Sequence, residues 1–250
     1  MDTSTTSSKE STDSQNEKSK TFYRKKEDES SPYPFKLLGA FGMNSEVPLI
    51  NLTTENRTII AYACSHAVVL YNYELKETIT LQGHQNAVRT LSVSEDGKWL
   101  LTADFEKDSA VVVWDTESCI PVCTLFNPHV DKELSAAKIS PNAKYIVTVG
   151  NERYQRVKFW LWTYGKDERN DCVELTEINL DRVKEISFNK DLSEEFALTA
   201  DHTIIFFIWE HSNLKYYYPK VFGNVRRYGI FNATCYLSST HQVLTATSNE

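Results

Sequence analysis

The chain has 250 residues, enough for one large domain or two small ones. Its formal net charge of −7 excludes a general attraction to nucleic acid or to an anionic membrane. There is no apolar run of 18 residues and no apolar core at the amino terminus, so the sequence predicts neither a membrane span nor a secretion signal.

Residues 1–31 are rich in Ser, Thr, Lys and Glu and lack the apolar residues that a folded core needs, so we predict a disordered tail. We predict one folded domain over residues 32–250. Its first unit, residues 40–82, has three β-branched or aromatic runs, each too short for a helix. In this unit Tyr71 stands where the next unit has a tryptophan.

The second unit, residues 83–127, has the clearest pattern. Four apolar or β-branched runs are separated by the polar turns SEDGK and DFEKDS and by a Trp-Asp pair. A Gly-His pair precedes the first run, and His84 and Trp114 are 30 residues apart in the sequence. This spacing is typical of one four-stranded blade.

The unit resembles a repeat of the WD-repeat β-propeller family. The resemblance implies a buried hydrogen-bonded network of His84, Thr102, Asp108 and Trp114, with Asp104 as the alternative carboxylate because the turn is long. Such a network stabilises a blade only when it is complete, since a buried polar group without a partner is costly. We interpret this set as structural and not as a catalytic triad.

Weaker copies of the pattern follow in residues 128–180, 181–222 and 223–250. The third unit offers His129, Thr148 and Trp160. In the fourth unit, Thr199 matches the threonine, Asp201 the aspartate and Trp209 (or Phe207) the tryptophan. In the last unit, Thr245 matches the threonine. Helical HEAT or armadillo repeats have a similar length in residues to these units, but the β-branched and aromatic runs favour strands.

The predicted fold is therefore all-β: an incomplete WD-repeat β-propeller with about four and a half blades in an open ring. Because a propeller closes only with a full set of blades, we interpret the chain as part of a longer protein or as a truncated product.

The sequence contains no motif that indicates catalysis or phosphate binding. We predict no cofactor, no metal and no enzymatic activity, because no phosphate-binding loop or hydrolase motif occurs. Cys119 and Cys123 are four residues apart, and we interpret them as buried thiols. Two surface clusters remain open between partner contact and ordinary packing or solvation: Tyr216, Tyr217 and Tyr218, and the basic pair Arg226 and Arg227.

The segments FGMNSEVPLINL, IPVCTLF and VKFWLW, together with the second unit, narrow the resemblance to an axonemal subfamily. The chain is similar to the WD-repeat cilia- and flagella-associated protein of the calmodulin- and spoke-associated complex, at the base of a radial spoke. In that family the propellers are assembly surfaces, and EF-hands lie near the carboxyl end. No EF-hand loop occurs in these residues, so calcium binding is not carried over.

The resemblance implies a non-enzymatic scaffold of the cytoskeleton in the axoneme of motile cilia or flagella. Its expected partners are other proteins, axonemal or radial-spoke subunits among them, with no nucleic acid, membrane or small-molecule substrate. The alternative is a general WD-repeat adaptor, such as a peptide-reading receptor in a ubiquitin-ligase or signalling complex.

Overall fold

The computed structural model describes residues 40–151, 154–164, 170–176, 182–219, 229–240 and 242–249. The predicted tail, residues 1–31, lies outside them. The described residues form β-strands joined by turns, with a single 3-10 turn at Trp162–Tyr164 and no α-helix.

The described strands form five antiparallel sheets, numbered 1 to 5 in chain order. Sheet 1 contains β1 (Ile50–Asn51), β2 (Ile59–Cys64), β3 (Ala67–Asn72) and β4 (Glu77–Gln82). Sheet 2 contains β5 (Val88–Val93), β6 (Trp99–Asp104), β7 (Ala110–Asp115) and β8 (Pro121–Phe126). Sheet 3 contains β9 (Leu134–Ile139), β10 (Ile146–Gly150), β11 (Arg156–Trp160) and β12 (Asn170–Glu174). Sheet 4 contains β13 (Val183–Phe188), β14 (Glu195–Ala200), β15 (Ile204–Glu210) and β16 (Asn213–Tyr217), and sheet 5 contains β17 (Phe231–Tyr236) and β18 (Val243–Thr247).

Each sheet is a meander in which consecutive strands are neighbours. The two middle strands of a sheet are covered on both faces, so they read as continuous apolar runs, as in AVVVW of β7. The outer strands are more exposed, as β4 and β8 show. This gradient from the middle to the rim of each sheet is the one that stacked propeller blades produce.

A recurrent backbone hydrogen bond aligns the five sheets. After each first strand, an N–H donates to the carbonyl of a residue at the start of the second strand. The donor and acceptor pairs are Leu52 and Ile59, Ser94 and Trp99, Ser140 and Tyr145, Asn189 and Glu195, and Leu237 and Gln242. We call the acceptor the landmark residue of its sheet, because it fixes equivalent positions independently of sequence motifs.

Neighbouring sheets pack face to face through apolar clusters. One cluster joins Leu101 and Val113 of sheet 2 to Ile139 and Ile146 of sheet 3. A larger, aromatic-rich cluster joins sheets 3 and 4, and a small one joins sheet 4 to Phe231 of β17. The sheets do not close into a ring within the described residues. The prediction of an all-β, incomplete WD-repeat propeller is confirmed.

Arg57 links sheets 1 and 2 with its guanidinium group. Its Nε donates to the Leu52 carbonyl at 2.9 Å, and its two terminal nitrogens donate to Thr116 Oγ1 and to the Gly97 carbonyl, both at 2.9 Å. Thr116 Oγ1 itself donates to the same Gly97 carbonyl at 2.8 Å. The donors of arginine are spread over three nitrogens in one plane, so they can reach three separate acceptors. The donors of lysine lie on one nitrogen and cannot span these positions.

Polar contacts fix β17 to sheet 4, and the Phe231 N–H donates to the Asp201 carbonyl at 2.9 Å. Lys184 Nζ donates to the Phe231 carbonyl at 2.6 Å and forms an ion pair with Asp201 at 3.1 Å. Thr199 Oγ1 donates to Thr234 Oγ1 at 2.8 Å inside the interface. The first strand of sheet 5 is therefore held at its backbone and in its core.

Candidate functional site

The buried polar network of sheet 2 is centred on the Thr102 hydroxyl. His84 Nε2 lies 2.7 Å from Thr102 Oγ1, and Trp114 Nε1 donates to the same oxygen at 2.9 Å. His84 Nδ1 lies 2.9 Å from Asp104 Oδ2, and both side chains are 1% exposed. Gly83 leaves room for the indole, because a Cβ there would lie 3.2 Å from two Trp114 ring carbons.

The carboxylate of this network is Asp104, and the prediction of Asp108 is wrong. Asp108 lies exposed in the turn between β6 and β7 with a positive φ of 58°. Asp104 ends β6, where its Oδ1 also accepts the Ala110 N–H at 3.2 Å. The long turn moves Asp108 away from His84, whereas a strand end holds Asp104 beside it.

We expect His84→Ala to lower the free energy of unfolding by about 1–3 kcal/mol, because it leaves the Asp104 carboxylate and the Thr102 hydroxyl without their partner. Chemical denaturation with circular dichroism measures this change. The matched control is His66→Ala, since His66 is exposed and its loss should change stability by less than about 0.5 kcal/mol. Equal stability of both variants would contradict a buried role for His84.

Sheet 3 keeps the histidine, threonine and tryptophan but has glycine in place of the acid. His129 Nε2 lies 3.0 Å from Thr148 Oγ1, and Trp160 Nε1 donates to that oxygen at 2.9 Å. Gly150 stands where sheet 2 has Asp104, and a Cβ there would lie 2.6 Å from His129 Nδ1. The imidazole thus packs against bare backbone, and its Nδ1 is buried without a hydrogen-bond partner among the described residues.

Burial, assisted by the nearby charge of Lys158, lowers the pKa of His129 from 6.5 to about 4. Because the unfolded chain binds a proton near pH 6.5 and the folded chain does not, acid favours unfolding. We expect stability to be lost as the pH falls from 6.5 to about 4, by about 1.4 kcal/mol per pH unit from this group, with no further loss below that window.

Denaturation at closely spaced pH values tests this prediction. His129→Gln removes the titrating group, so its stability should depend less steeply on pH within the same window. An unchanged slope in that variant would assign the acid sensitivity to other groups.

In sheet 4, apolar residues occupy the positions of the polar network. The residue equivalent to Thr102 is Leu198, one position before the predicted Thr199. Counting from the landmark residue, Leu198 occupies the position of Thr102 and Thr148. Phe207 lies opposite Phe196, as Trp114 lies opposite Leu100, and the two phenyl rings stack at 4.7 Å. Both hydrogen-bonding partners are replaced together, which avoids a buried unsatisfied group.

This offset corrects the expectations for Thr199 and Asp201. Thr199 faces sheet 5 and not the network side, as its bond to Thr234 shows. Asp201 lies beyond β14 and pairs with Lys184, while Ala200 takes the place of the network acid. Of the two aromatic candidates, Phe207 occupies the aromatic position, and Trp209 lies two residues past it, where it stacks on Phe159 of sheet 3 at 5.0 Å.

The first and last sheets hold the remaining signature residues. Tyr71 lies opposite Ile60, in the aromatic position, and Tyr62 takes the place of Thr102. Thr245, in β18, is equivalent to Thr102 and lies opposite Thr234 of β17.

The surface candidates divide between packing and exposure. Tyr216 packs on the cluster between sheets 3 and 4, whereas Tyr217 is 61% and Tyr218 is 39% exposed. Arg226 and Arg227 lie outside the described residues. Cys123 packs at the edge of the cluster between sheets 2 and 3.

The described residues contain no group of three or more His, Cys, Asp or Glu residues placed to hold a metal ion. None of their helical structure has the length and apolar character that a membrane crossing requires. The His, Thr and Asp side chains that resemble a triad are buried within sheet 2, where a substrate has no access to them.

Stacked four-stranded sheets with a His-Thr-Asp-Trp network define a WD-repeat β-propeller protein. The family described as the CFAP251 N-terminal domain matches residues 35–250, and the chain belongs to that family.

Named relatives agree with this assignment. The chain is 30% identical over 229 residues to cilia- and flagella-associated protein 251 of Pongo abelii, covering 88% of the chain and 20% of the relative. It is 32% identical over 212 residues to the protein of that name in Tetrahymena thermophila, covering 80% and 20%. WD repeat-containing protein 90 of Mus musculus is 24% identical over 155 residues, covering 60% and 8%.

The chain spans about a fifth of the length of the first two relatives. The family assignment places it among the cilium- and flagellum-associated WD-repeat proteins.

The sequence interpretation missed the residues that connect sheets. Arg57 and Lys184 contact backbone atoms far away in the sequence, so no local motif identifies them. Gly150 could have been predicted to contact His129, since a glycine two residues after the threonine of a blade makes room for the imidazole ring.

Proposed function

We propose that the chain is a non-enzymatic scaffold of the ciliary or flagellar axoneme, which links radial spokes to the calmodulin- and spoke-associated complex. The observation that carries the proposal is the family match over residues 35–250. Relatives that match 80–88% of the chain are named for association with cilia and flagella. Burial of the polar networks supports an architectural role, because it leaves the outer surfaces to contact partners.

The exposed end of β16 is our candidate for partner contact. Tyr217 and Tyr218 present large amphipathic side chains to solvent, and tyrosine is enriched in protein interfaces. The uncharged outer strand β8 is a second exposed edge, with Val122 and Phe126 at its surface and Ile120 exposed just before it. Both are rim positions, where a scaffold contacts neighbours without opening its core.

A tagged chain expressed in motile ciliated cells tests the proposal. We expect it to remain on axonemes after detergent removes the membrane, and to recover spoke proteins by proximity labelling. A double variant, Tyr217→Ser with Tyr218→Ser, should be retained less well. The matched control is Tyr73→Ser, because Tyr73 is also exposed but lies in the turn that follows β3 of sheet 1.

A diffuse or nuclear signal, with all of the chain extracted by detergent, would contradict the axonemal role. Recovery of ubiquitin-ligase or kinase subunits in place of spoke proteins would favour a general adaptor.

A further inference from the structure

β8 differs from the other outer strands in having no charged residue. The outer strands of sheets 1, 3 and 4 contain Glu77, Glu174 and Lys215, whereas β8 has the sequence PVCTLF. Charged side chains on edge strands oppose pairing with another chain. Sheet 2 already has its four strands and lies between sheets 1 and 3 in the chain, and no described strand pairs with the outer edge of β8. This edge is therefore open to pairing.

The backbone of β8 places hydrogen-bonding groups on the open edge. At its end, the Asn127 N–H donates to the Ser109 carbonyl, just before β7. Hydrogen-bonded pairs of an antiparallel ladder alternate with pairs that are not hydrogen-bonded, so the N–H and C=O groups of Thr124 and Phe126 point away from β7. Pro121, which has no N–H, lies at the first position of the strand and leaves these groups unaffected.

The two faces of β8 differ in exposure. Cys123 and Leu125 pack at the edge of the cluster between sheets 2 and 3. Because successive side chains of a strand point to opposite faces, the residues between and beside them lie on the other face. There Val122 is 47% and Phe126 is 75% exposed, with the half-buried Thr124 between them. A contact that pairs Val122 with Phe126 would remove both apolar side chains from water.

An antiparallel pair of two β8 strands centred on Thr124 makes this contact twice. In that register Thr124 lies opposite Thr124 of the second copy, and each N–H donates to the carbonyl of the other. Phe126 then lies opposite Val122 of the second copy, since both are two residues from the centre. A register centred on Leu125 would instead place Phe126 opposite Thr124. The strand is thus complementary to itself, as a two-fold contact between identical chains requires.

Charge restricts where two copies can meet. Each copy has a formal net charge of −7, so two copies repel each other unless the contact itself is uncharged. The same pairing of β4 or β12 would bring Glu77 or Glu174 of both copies into one small contact. Of the four outer strands described, β8 is the one along which two copies can pair without facing charges.

We propose that two copies of the chain associate through β8, in an antiparallel pair centred on Thr124 that joins sheet 2 of both copies into one continuous sheet. The contact is small, since it consists of one strand pair, and small interfaces belong to weak complexes. The dimer therefore forms at micromolar concentrations. The inference goes beyond the proposed scaffold role and does not depend on it.

Sedimentation velocity of the full chain at increasing concentration tests the association. We expect a reversible monomer–dimer equilibrium, weakened at least about tenfold by Thr124→Lys, because like charges then lie directly opposite each other. Thr124→Glu should weaken it in the same way. Mixing the two variants should restore the dimer, since opposite charges then meet. A variant that had merely lost its fold could not be restored by mixing.

The matched control is Thr80→Lys, because Thr80 is also half-buried on an outer strand, β4. We expect this variant to dimerise like the wild-type protein.

A cysteine at the centre of the pair tests the register. Opposite Cα atoms of a hydrogen-bonded antiparallel pair lie about 5.5 Å apart, a distance that a disulfide spans. We expect mild oxidation to cross-link two copies of Thr124→Cys. The wild-type protein, whose five cysteines lie at other positions, and Thr80→Cys should cross-link far less.

A chain that remains monomeric at its highest soluble concentration would overturn the proposal. So would a dimer that neither charged variant at Thr124 weakens, because the copies would then meet elsewhere. Hydrogen exchange provides a third criterion: slow exchange of the Thr124 and Phe126 amides in the dilute monomer would show that another segment of the chain covers this edge, which would also reject the dimer. Slowing of these two amides only as the concentration rises is the expected result.

Discussion

Replacing Thr102 with valine is expected to lower the free energy of unfolding by about 2–6 kcal/mol, because one hydroxyl serves two buried groups. The change keeps the shape of the side chain and leaves His84 Nε2 and Trp114 Nε1 without their common partner. Each buried group that loses its partner costs about 1–3 kcal/mol. Urea denaturation measures the sum, and the difference in tryptophan fluorescence between the folded variant and the folded wild-type protein reports the changed surroundings of the indole.

The control for this prediction is Thr80→Val, a half-buried threonine on the outer strand β4. We expect its effect to stay within about 0.5 kcal/mol. If Thr102→Val and Thr80→Val unfold at the same urea concentration, the network contributes nothing to stability, and its occurrence in sheets 2 and 3 needs another reason.

We expect Gly150→Ala to destabilise the protein by about 2–4 kcal/mol through overpacking and the loss of one hydrogen bond. The added Cβ would lie 2.6 Å from His129 Nδ1 and 3.0 Å from the adjacent ring carbon. His129 is 2% exposed, so its ring cannot move into solvent without disturbing the packing around it. It must move and weaken its contact with Thr148, or the backbone of β10 must shift.

A double-mutant cycle identifies the cause. In a His129→Ala background the ring is absent, so we expect Gly150→Ala to cost almost nothing there. Thermal and chemical unfolding of the four proteins gives the coupling energy between the two sites. A full effect of Gly150→Ala in the absence of the ring would show that the backbone, and not the imidazole, needs the glycine.

Sheet 2 shows what sequence patterns could predict. Its strands begin and end close to the apolar runs, because short β-branched segments bounded by polar turns have few alternatives. The prediction of Asp108 as the network carboxylate failed, because it relied on the number of residues between Asp108 and Trp114. The contact with His84 depends instead on the path of the turn between β6 and β7. Asp104 and Asp108 differ in backbone conformation, and no count of residues reveals that.

Sheet 4 shows a different failure. The segments LLTAD and ALTAD look equivalent, yet the turn before β14 is one residue longer than the turn before β6, since six positions and not five separate donor and landmark. A shift of one residue reverses the face of every side chain in a strand. Thr199 therefore points into sheet 5, and Leu198 takes the network position.

The contacts between sheets were beyond prediction for a third reason. Arg57 reaches residues 40 and 59 positions away, and its acceptors are backbone carbonyls and one hydroxyl. Every residue has a backbone carbonyl group, so the sequence does not indicate which carbonyls will accept hydrogen bonds from the guanidinium group. Only the packing of sheet 1 on sheet 2 makes the choice.

The exchange of Thr-Trp for Leu-Phe in sheet 4 has a consequence for how such repeats diverge. A chain that changes one member first passes through Leu-Trp, with a buried indole N–H lacking its acceptor, or through Thr-Phe, with an unpaired hydroxyl. Either intermediate is less stable by about 1–3 kcal/mol, a large part of the stability of a domain. Substitutions at these paired positions are therefore epistatic. We expect a blade to change from Thr-Trp to Leu-Phe only when the rest of the protein is stable enough to tolerate the less stable intermediate.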